Sequence, residues 1–120
     1  MMTRIFVYGT LKRGCKNHPH LAGQTYVGEA RTVPGFRLHH LGSYPGMVAD
    51  PTDLEGVTGE LWDVDAASLA HLDDFEGVSE GLYRRELVRI ESPSGHDAAH
   101  TYLYARPVTG LPLIGPTWLE

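Results

Sequence analysis

Residues 5–11 read IFVYGTL, and this stretch decides how the chain can fold. The run begins with three apolar residues in a row, which is typical of a buried strand. Gly9 at the strand end allows the backbone to turn sharply and to come close to a ligand. The residues that follow offer several backbone N–H groups at once, which suits a loop that holds a carboxylate or a developing oxyanion. The sequence therefore predicts a strand at about residues 4–8 and an anion-holding loop at residues 9–11.

A second segment, LDDFEG at residues 72–77, supplies carboxylates in an apolar setting. We predict a helix over residues 66–74, with Asp65 as its N-cap. Leu69 and Leu72 lie three positions apart and therefore share one face of that helix. The segment thus predicts an amphipathic helix that ends close to a group of acidic residues.

Glu76 lies four positions after Leu72, so a helix that continued to Glu76 would direct its carboxylate to the apolar face. Burial, the adjacent Phe75 and the negative end of the helix dipole would then raise its pKa toward neutrality. A general acid or base is most useful with such a pKa. In the alternative interpretation, Glu76 ends the helix early and faces water. Spacing alone leaves both open.

Composition limits the classes of function. The 120 residues fit a single domain (1–120), and 42% hydrophobic with 21% charged residues indicates a globular chain. A net charge of −5 argues against nucleic-acid or anionic-membrane partners, because no basic stripe can neutralise phosphates. Cys15 is the only cysteine, so no internal disulfide can form. We expect a cytoplasmic protein without a signal peptide, a monomer or weak homodimer, that acts on a small molecule.

The remaining segments predict many short strands and an irregular tail that contains several prolines. The fold class that follows is α+β, with a mixed or largely antiparallel sheet that can close as a small β-barrel with flanking helices. The predicted strands cover approximately residues 24–31, 36–41, 47–49, 56–64, 83–90 and 98–106. The last two alternate with period two and predict a hairpin, whose loop is SPSG at residues 92–95.

Taken together, these motifs resemble the gamma-glutamyl cyclotransferase-like superfamily, and within it the gamma-glutamylamine cyclotransferase and AIG2-like branch. The resemblance rests on YGTL at residues 8–11, GELW at 59–62, LDDFEGV at 72–78, GLY at 81–83 and TYLY at 101–104. It implies a small β-barrel and an enzyme that releases an amine and 5-oxoproline from a gamma-glutamyl compound. In that reaction the substrate's own alpha-amine attacks its side-chain carbonyl, so no protein nucleophile is needed.

The resemblance also implies roles for individual residues. Glu76 matches the catalytic glutamate and is the predicted general acid/base. The predicted substrate-binding residues are Tyr8, Gly9, Thr10, Leu11, Tyr83 and Tyr104. Tyr102 shares a strand face with Tyr104, so one of the two can edge the pocket. The loop at residues 41–51 and the tail after residue 106 are expected to border the leaving amine.

Other constellations give weaker hypotheses. Residues 9–14 have the glycine spacing of a P-loop, but Cys15 stands where that motif needs lysine. His18 and His20 have no companion ligand motif, and Cys15 has no base identified by spacing. We therefore expect no metal and no organic cofactor. The alternative to an enzyme is a binding module that keeps the fold and holds an acidic metabolite or a partner; Glu76 favours the enzyme.

Overall fold

The computed structural model describes residues 2–93 and 98–120 of the chain. Its elements confirm the predicted mixture of short strands with a single α-helix among these residues. In chain order they are β1 (Met2–Val7), β2 (Thr25–Thr32), β3 (Phe36–His40), β4 (Pro45–Ala49), β5 (Thr58–Asp65), α1 (Ala66–Phe75), β6 (Tyr83–Ser92) and β7 (Ala98–Tyr104), with short 3₁₀ helices at His18–Leu21 and Val78–Glu80. The α+β fold class is therefore confirmed.

The strands form one seven-stranded sheet in the order β1-β5-β2-β6-β7-β4-β3. The pairs β1–β5, β5–β2, β2–β6, β6–β7 and β3–β4 are antiparallel. β1 also pairs in parallel with β7, through Ile5 and His100, so the strands from β1 round to β7 form a closed circuit. β4 and β3 extend the sheet from β7, and β4 joins β7 in parallel.

The second half of β1, Ile5–Val7, is buried on both faces, which explains why its three residues are all apolar. Phe6 and Tyr8 belong to a first core that also contains Leu61 of β5 and Trp118 of the tail. The alternate side chains of β1 belong to a second core, together with residues of α1, β5, β6 and β7. The second core contains Ile5, Val7, Leu11, Leu21, Trp62, Val64, Leu72, Tyr83 and Tyr102. Because successive side chains of a strand point to opposite faces, β1 lies between the two cores.

α1 begins and ends close to the predicted positions. The side chain of Asp65 caps it by accepting a hydrogen bond from the Ser68 N–H group at 2.7 Å. Leu72 is fully buried in the second core, which anchors the helix to the sheet. The helix ends at Phe75, and Gly77 follows with a positive φ of 67°, a conformation that favours glycine.

The predicted hairpin is confirmed for the residues that the structure describes. β6 and β7 pair in antiparallel register from Tyr83 opposite Tyr104 to Arg89 opposite Ala98. Ser92 is the last residue of β6 rather than part of the loop. Pro93 follows β6 directly, and Ser94 and Gly95, the last two residues of the predicted loop, lie outside the described residues.

The tail is irregular, as expected, but it is attached to the sheet more firmly than a surface segment. Ile114 donates its N–H group to the Leu38 carbonyl at 2.9 Å, and Pro116 accepts from the Thr58 N–H group at 2.8 Å. Trp118 packs into the first core with 7% of its surface exposed. The tail therefore completes the core beside β3 and β5. Among the described helices, none has the length and apolar character needed to cross a membrane.

Gly59 should tolerate no larger residue, because β1 and β5 approach each other closely there. A Cβ atom at Gly59 would lie 2.2 Å from the Val7 carbonyl oxygen and 2.8 Å from the ring of Phe6. We expect Gly59→Ala to lower the free energy of unfolding by about 1–3 kcal/mol, measured by urea denaturation. Gly28→Ala is the matched control, since a Cβ atom at Gly28 meets no heavy atom within 4 Å. Equal losses in both variants would contradict this account of the β1–β5 contact.

Candidate active site

A cavity of about 270 Å³ lies where the end of β1 and the loop after it meet the end of α1, β6 and β7. Its wall is mostly apolar and aromatic, and among the described residues Glu76 is the one acidic or basic residue that lines it. The lining residues are Phe6, Val7, Tyr8, Gly9, Thr10, Leu11, Asn17, Tyr44, Pro45, Phe75, Glu76, Leu82, Tyr83 and Tyr102. Segments far apart in the sequence thus converge on a single concave site, which is the usual form of a small-molecule site.

The structure places nearly all of the predicted site residues on this wall; Tyr104 is the one that lies elsewhere. Tyr104 stands behind Tyr83, with ring centroids 5.5 Å apart in an edge-on arrangement. The Tyr104 side chain packs against Gly46: a Cβ atom added at Gly46 would lie only 2.8 Å from the Tyr104 Cβ atom. Tyr102 lines the cavity instead. Of the two tyrosines on β7, the structure therefore puts Tyr102 at the pocket and Tyr104 in its support.

In the loop at residues 9–11, which lines the cavity, the carbonyl groups are engaged within the protein and the N–H groups are left without a protein acceptor. All three carbonyls are engaged within the protein: that of Gly9 accepts from Lys12 N–H at 3.2 Å, that of Thr10 from Asn17 N–H at 2.9 Å, and that of Leu11 contacts the His18 ring at 3.0 Å. Among the residues that the structure describes, none accepts from the three N–H groups of the loop. These buried donors are therefore available to an anionic group in the cavity.

The segment after the loop is held by a buried carboxylate. Glu60 of β5 accepts hydrogen bonds from the backbone N–H group of Arg13 at 3.0 Å, from its Nε at 3.2 Å and from the Trp62 indole at 3.1 Å. The guanidinium of Arg13 also lies 3.7 Å from the centre of the Tyr26 ring. The positive charge of Arg13 therefore supports the loop from outside the cavity and does not face its interior.

Glu76 lies at the C-cap of α1 and is half-buried in the cavity wall. The helix ends one residue before it, but its backbone keeps helical angles, with φ −81° and ψ −1°, so the side chain continues in the direction that its spacing from Leu72 predicts. Burial raises the pKa of the Glu76 carboxyl group from 4.5 to about 7. Within residues 2–93 and 98–120, no side chain forms an ion pair with it.

The hydroxyls of Tyr8 and Tyr83, two of the tyrosines around the cavity, are already engaged. Tyr8 donates to the Tyr102 carbonyl and accepts from the Met47 N–H group at 3.1 Å. Tyr83 donates to the Pro45 carbonyl at 2.8 Å. Burial raises the pKa of Tyr8 and of Tyr83 well above the ordinary value, so both remain neutral. These tyrosines form walls, and Glu76 is left as the group that can transfer protons near neutral pH.

Asp73 is a supporting residue that the sequence analysis missed. It accepts a hydrogen bond from the Tyr102 hydroxyl at 2.7 Å and from Arg85 Nε at 2.9 Å. These bonds tie α1 to β6 and β7 just before Glu76, and they hold the Tyr102 ring at the cavity. The pattern of α1 alone does not reveal these bonds, because the partners of Asp73 lie on later strands. Asn17 was missed for a similar reason: the chain turns back after the loop and brings Asn17 against Thr10, and no local pattern shows this contact.

The expected borders of the site are partly correct. Tyr44 and Pro45, from the segment at residues 41–51, line the cavity. The tail after residue 106 contributes no lining residue to the cavity, so its expected place beside a leaving amine stays a prediction. Its end lies against the outside of the loop segment instead, where the Trp118 carbonyl accepts from Lys12 Nζ at 2.7 Å. The tail has this position because Trp118 packs into the first core.

The described residues contain no group of three or more His, Cys, Asp or Glu side chains placed to hold a metal ion. His20 contacts His71 at 2.9 Å between ring nitrogens, and its ring packs on Phe75 at 4.2 Å between centroids. These contacts join the 3₁₀ helix His18–Leu21 to α1. The cavity itself presents a carboxyl group with a raised pKa, which suits proton transfer.

Comparisons with known proteins point to one family. A family model described as gamma-glutamyl cyclotransferase, AIG2-like, matches residues 5–119. The gamma-glutamylcyclotransferase family protein YtfP of Escherichia coli K12 is 37% identical over 118 residues, which cover 98% of this chain and 96% of that protein. The gamma-glutamylaminecyclotransferase of Rattus norvegicus is 38% identical over 96 residues, which cover 74% of this chain and 64% of the rat protein.

A solved structure extends the comparison to three dimensions. The crystal structure of an AIG2-like protein from Mus musculus superposes with a TM-score of 0.83 and 32% sequence identity. The superposition covers 96% of this chain and 87% of the mouse chain. The similarity therefore includes the strands and the helix that build the cavity.

Removing the Glu76 charge should stabilise the protein at alkaline pH. The pKa of Glu76 is about 7 in the folded protein and ordinarily 4.5. Between these two pH values the folded protein therefore binds more protons than the unfolded chain, and its stability falls as the pH rises. Glu76→Gln should therefore raise the free energy of unfolding at pH 8 by about 1–3 kcal/mol, allowing for solvent screening of a half-buried group. Below pH 4.5 the gain should vanish. Asp74→Asn, on the exposed face, is the control in urea denaturation; a gain independent of pH would contradict the assignment.

Proposed function

Because the chain belongs to the gamma-glutamyl cyclotransferase, AIG2-like family, we propose that it cyclises a gamma-glutamyl compound and releases its amine. The alpha-amine of the substrate attacks the carbonyl carbon of its own side chain, a C–N bond forms, and the bond to the leaving amine breaks. The products are 5-oxoproline and the free amine. The observation that carries the proposal is Glu76, the one acidic or basic group that the described residues place on the cavity wall, with a pKa of about 7.

Proton transfer is the task that this site can perform best. The attacking amine must lose a proton and the leaving amine must gain one, and a single carboxyl group can do both in turn. With a pKa of about 7, Glu76 is populated in both forms near neutral pH. No protein nucleophile is required, which agrees with a wall on which the hydroxyls of Tyr8, Tyr83 and Tyr102 donate to protein oxygens.

The loop at residues 9–11 supplies the electrostatic part of the reaction. Its unbonded N–H groups can hold the alpha-carboxylate of the substrate or the carbonyl oxygen as it becomes negative. Holding the substrate folded converts the attack into an oriented intramolecular step, for which effective molarities reach ~10⁵–10⁸ M. The aromatic wall supports both effects because it excludes water from the reacting atoms.

A non-enzymatic module that binds an acidic metabolite is the alternative on the same fold. The free N–H groups alone suit either function. Glu76 favours the enzyme, because a half-buried carboxylate on the wall would repel the bound anion at neutral pH. The two hypotheses differ in one measurable outcome, the release of 5-oxoproline.

The chemistry of the substrate should decide the reaction. We expect 5-oxoproline from at least one compound in a panel of gamma-glutamyl amines, gamma-glutamyl-lysine and gamma-glutamyl dipeptides, measured by liquid chromatography. The N-acetylated form of the best substrate should give none, since its nitrogen cannot attack. Turnover of that acetylated form would exclude the mechanism. Binding of the panel without turnover of any member would favour the binding module.

Glu76→Gln should lose most of the turnover while it keeps the fold. General acid–base catalysis is typically worth ~10²–10⁴-fold, so we expect kcat/KM to fall by about that factor. In the wild type, kcat/KM should rise as the pH increases through about 7, because the carboxylate form accepts the proton of the amine. The Glu76→Gln variant should not show this rise of kcat/KM with pH. Circular dichroism and the unfolding temperature control for folding, and near-normal turnover in the variant would exclude the role.

A further inference from the structure

Asn17 forms two hydrogen bonds with Thr10 at the cavity wall. Its backbone N–H group donates to the Thr10 carbonyl at 2.9 Å, and its side-chain Nδ2 donates to Thr10 Oγ1 at 2.9 Å. Both residues line the cavity, and Thr10 is only 8% exposed. The side-chain bond therefore determines how a buried hydroxyl in the loop is oriented.

The direction of this bond determines what the hydroxyl can do. A threonine hydroxyl has one hydrogen to donate and two lone pairs with which to accept. Because Oγ1 accepts from the Asn17 amide, its own hydrogen is left for another acceptor. No residue in the described part of the chain accepts it. The hydroxyl is thus a donor that the protein itself leaves unused.

We propose that Asn17 is a positioning residue: by donating to Thr10 Oγ1, it keeps the Thr10 hydroxyl as a hydrogen-bond donor to a negatively charged oxygen of the substrate. The inference rests on the proposed function, and it adds a side-chain donor to the three backbone N–H groups of the loop. The acceptor is either the alpha-carboxylate or the carbonyl oxygen that becomes negative during attack.

The path of the chain explains why Asn17 can have this role. The segment between Thr10 and Asn17 leaves the cavity wall and returns through successive turns, with Cys15 N–H bonded to the Lys12 carbonyl at 3.0 Å and His18 N–H to the Cys15 carbonyl at 3.1 Å. The Arg13–Glu60 contact fixes the outer part of this segment to β5. Asn17 is therefore brought back to the loop by a rigid support.

Asn17→Asp separates this role from a general structural one. The aspartate keeps the size and the backbone bond, but its carboxylate can only accept, so it captures the Thr10 hydrogen. We expect kcat/KM for 5-oxoproline release to fall about 10- to 100-fold, the range for a hydrogen bond to a charged group. If the amide instead accepted from Thr10, aspartate would replace it well, and unchanged turnover would overturn the proposal.

A double-mutant cycle removes the effect of the added charge. Thr10→Val replaces the hydroxyl by a methyl group of similar size, and in that background Asn17→Asp should change kcat/KM by less than about 3-fold. Repulsion of the substrate by the new carboxylate, or a direct contact of Asn17 with the substrate, would persist without the hydroxyl. In the Thr10→Ser background, which keeps a hydroxyl, the large effect of Asn17→Asp should return. Equal effects in all backgrounds would overturn the proposal.

Two readouts distinguish the acceptor and separate this inference from the proposed function. Affinity for 5-oxoproline, measured by calorimetry across the same cycle, reports a contact with the carboxylate. Coupling in kcat alone reports a contact with the reacting carbonyl oxygen. Coupling in 5-oxoproline affinity without turnover in the wild type would refute the enzyme but support the role of Asn17. Absence of coupling in both readouts, in variants whose unfolding temperature is preserved, would overturn the role whether or not the wild type is active.

Discussion

The burial of β1 between two cores is the constraint on which the rest of the structure depends. Ile5 and Val7 pack on the side of α1, while Phe6 and Tyr8 pack into the other core. Such a strand must pair closely with β5, and Gly59 leaves the space for its backbone and for Phe6. The ladder with β5 ends at Val7 opposite Glu60, so the residues after it leave the sheet inside the protein. The cavity forms at that point.

Because residues 9–11 leave the sheet inside the protein, their backbone polar groups have no partners in the sheet. The rest of the protein supplies partners for only half of these groups. The carbonyls of residues 9–11 are engaged by Lys12, Asn17 and His18, whereas the N–H groups have no acceptor among the described residues. A buried donor without a partner costs about 1–3 kcal/mol. Glu76 adds a half-buried carboxyl group without an ion pair among the described residues. Unfavourable groups concentrated around one cavity are typical of a functional site, because a ligand can satisfy them.

The polar groups around the cavity divide into those that build it and those left for a ligand. The hydroxyls of Tyr8, Tyr83 and Tyr102 all bond to protein oxygens, and Asp73 is held by Tyr102 and Arg85. These bonds fix the walls and the end of α1, so that the remaining groups are preorganised. What remains is a small set of neutral donors and one carboxyl group. The selectivity of such a site rests on the direction of each hydrogen bond as much as on the shape of the cavity.

Spacing left open whether Glu76 lies on the side of Leu72 or faces water, but the amino-acid sequence by itself determined other local features: the buried apolar run of β1 with a glycine soon after it, and an α1 capped by Asp65. Each follows from the period of one element or from a short motif, so its information is contiguous in the chain. Only the tertiary structure decided that Tyr102 rather than Tyr104 reaches the cavity, and that the tail lies behind the loop. Periodicity states which residues share a face, but not which other segment meets that face. The pairs that settle this, such as Tyr102 with Asp73 and Lys12 with Trp118, are remote in sequence and become neighbours only when the sheet closes.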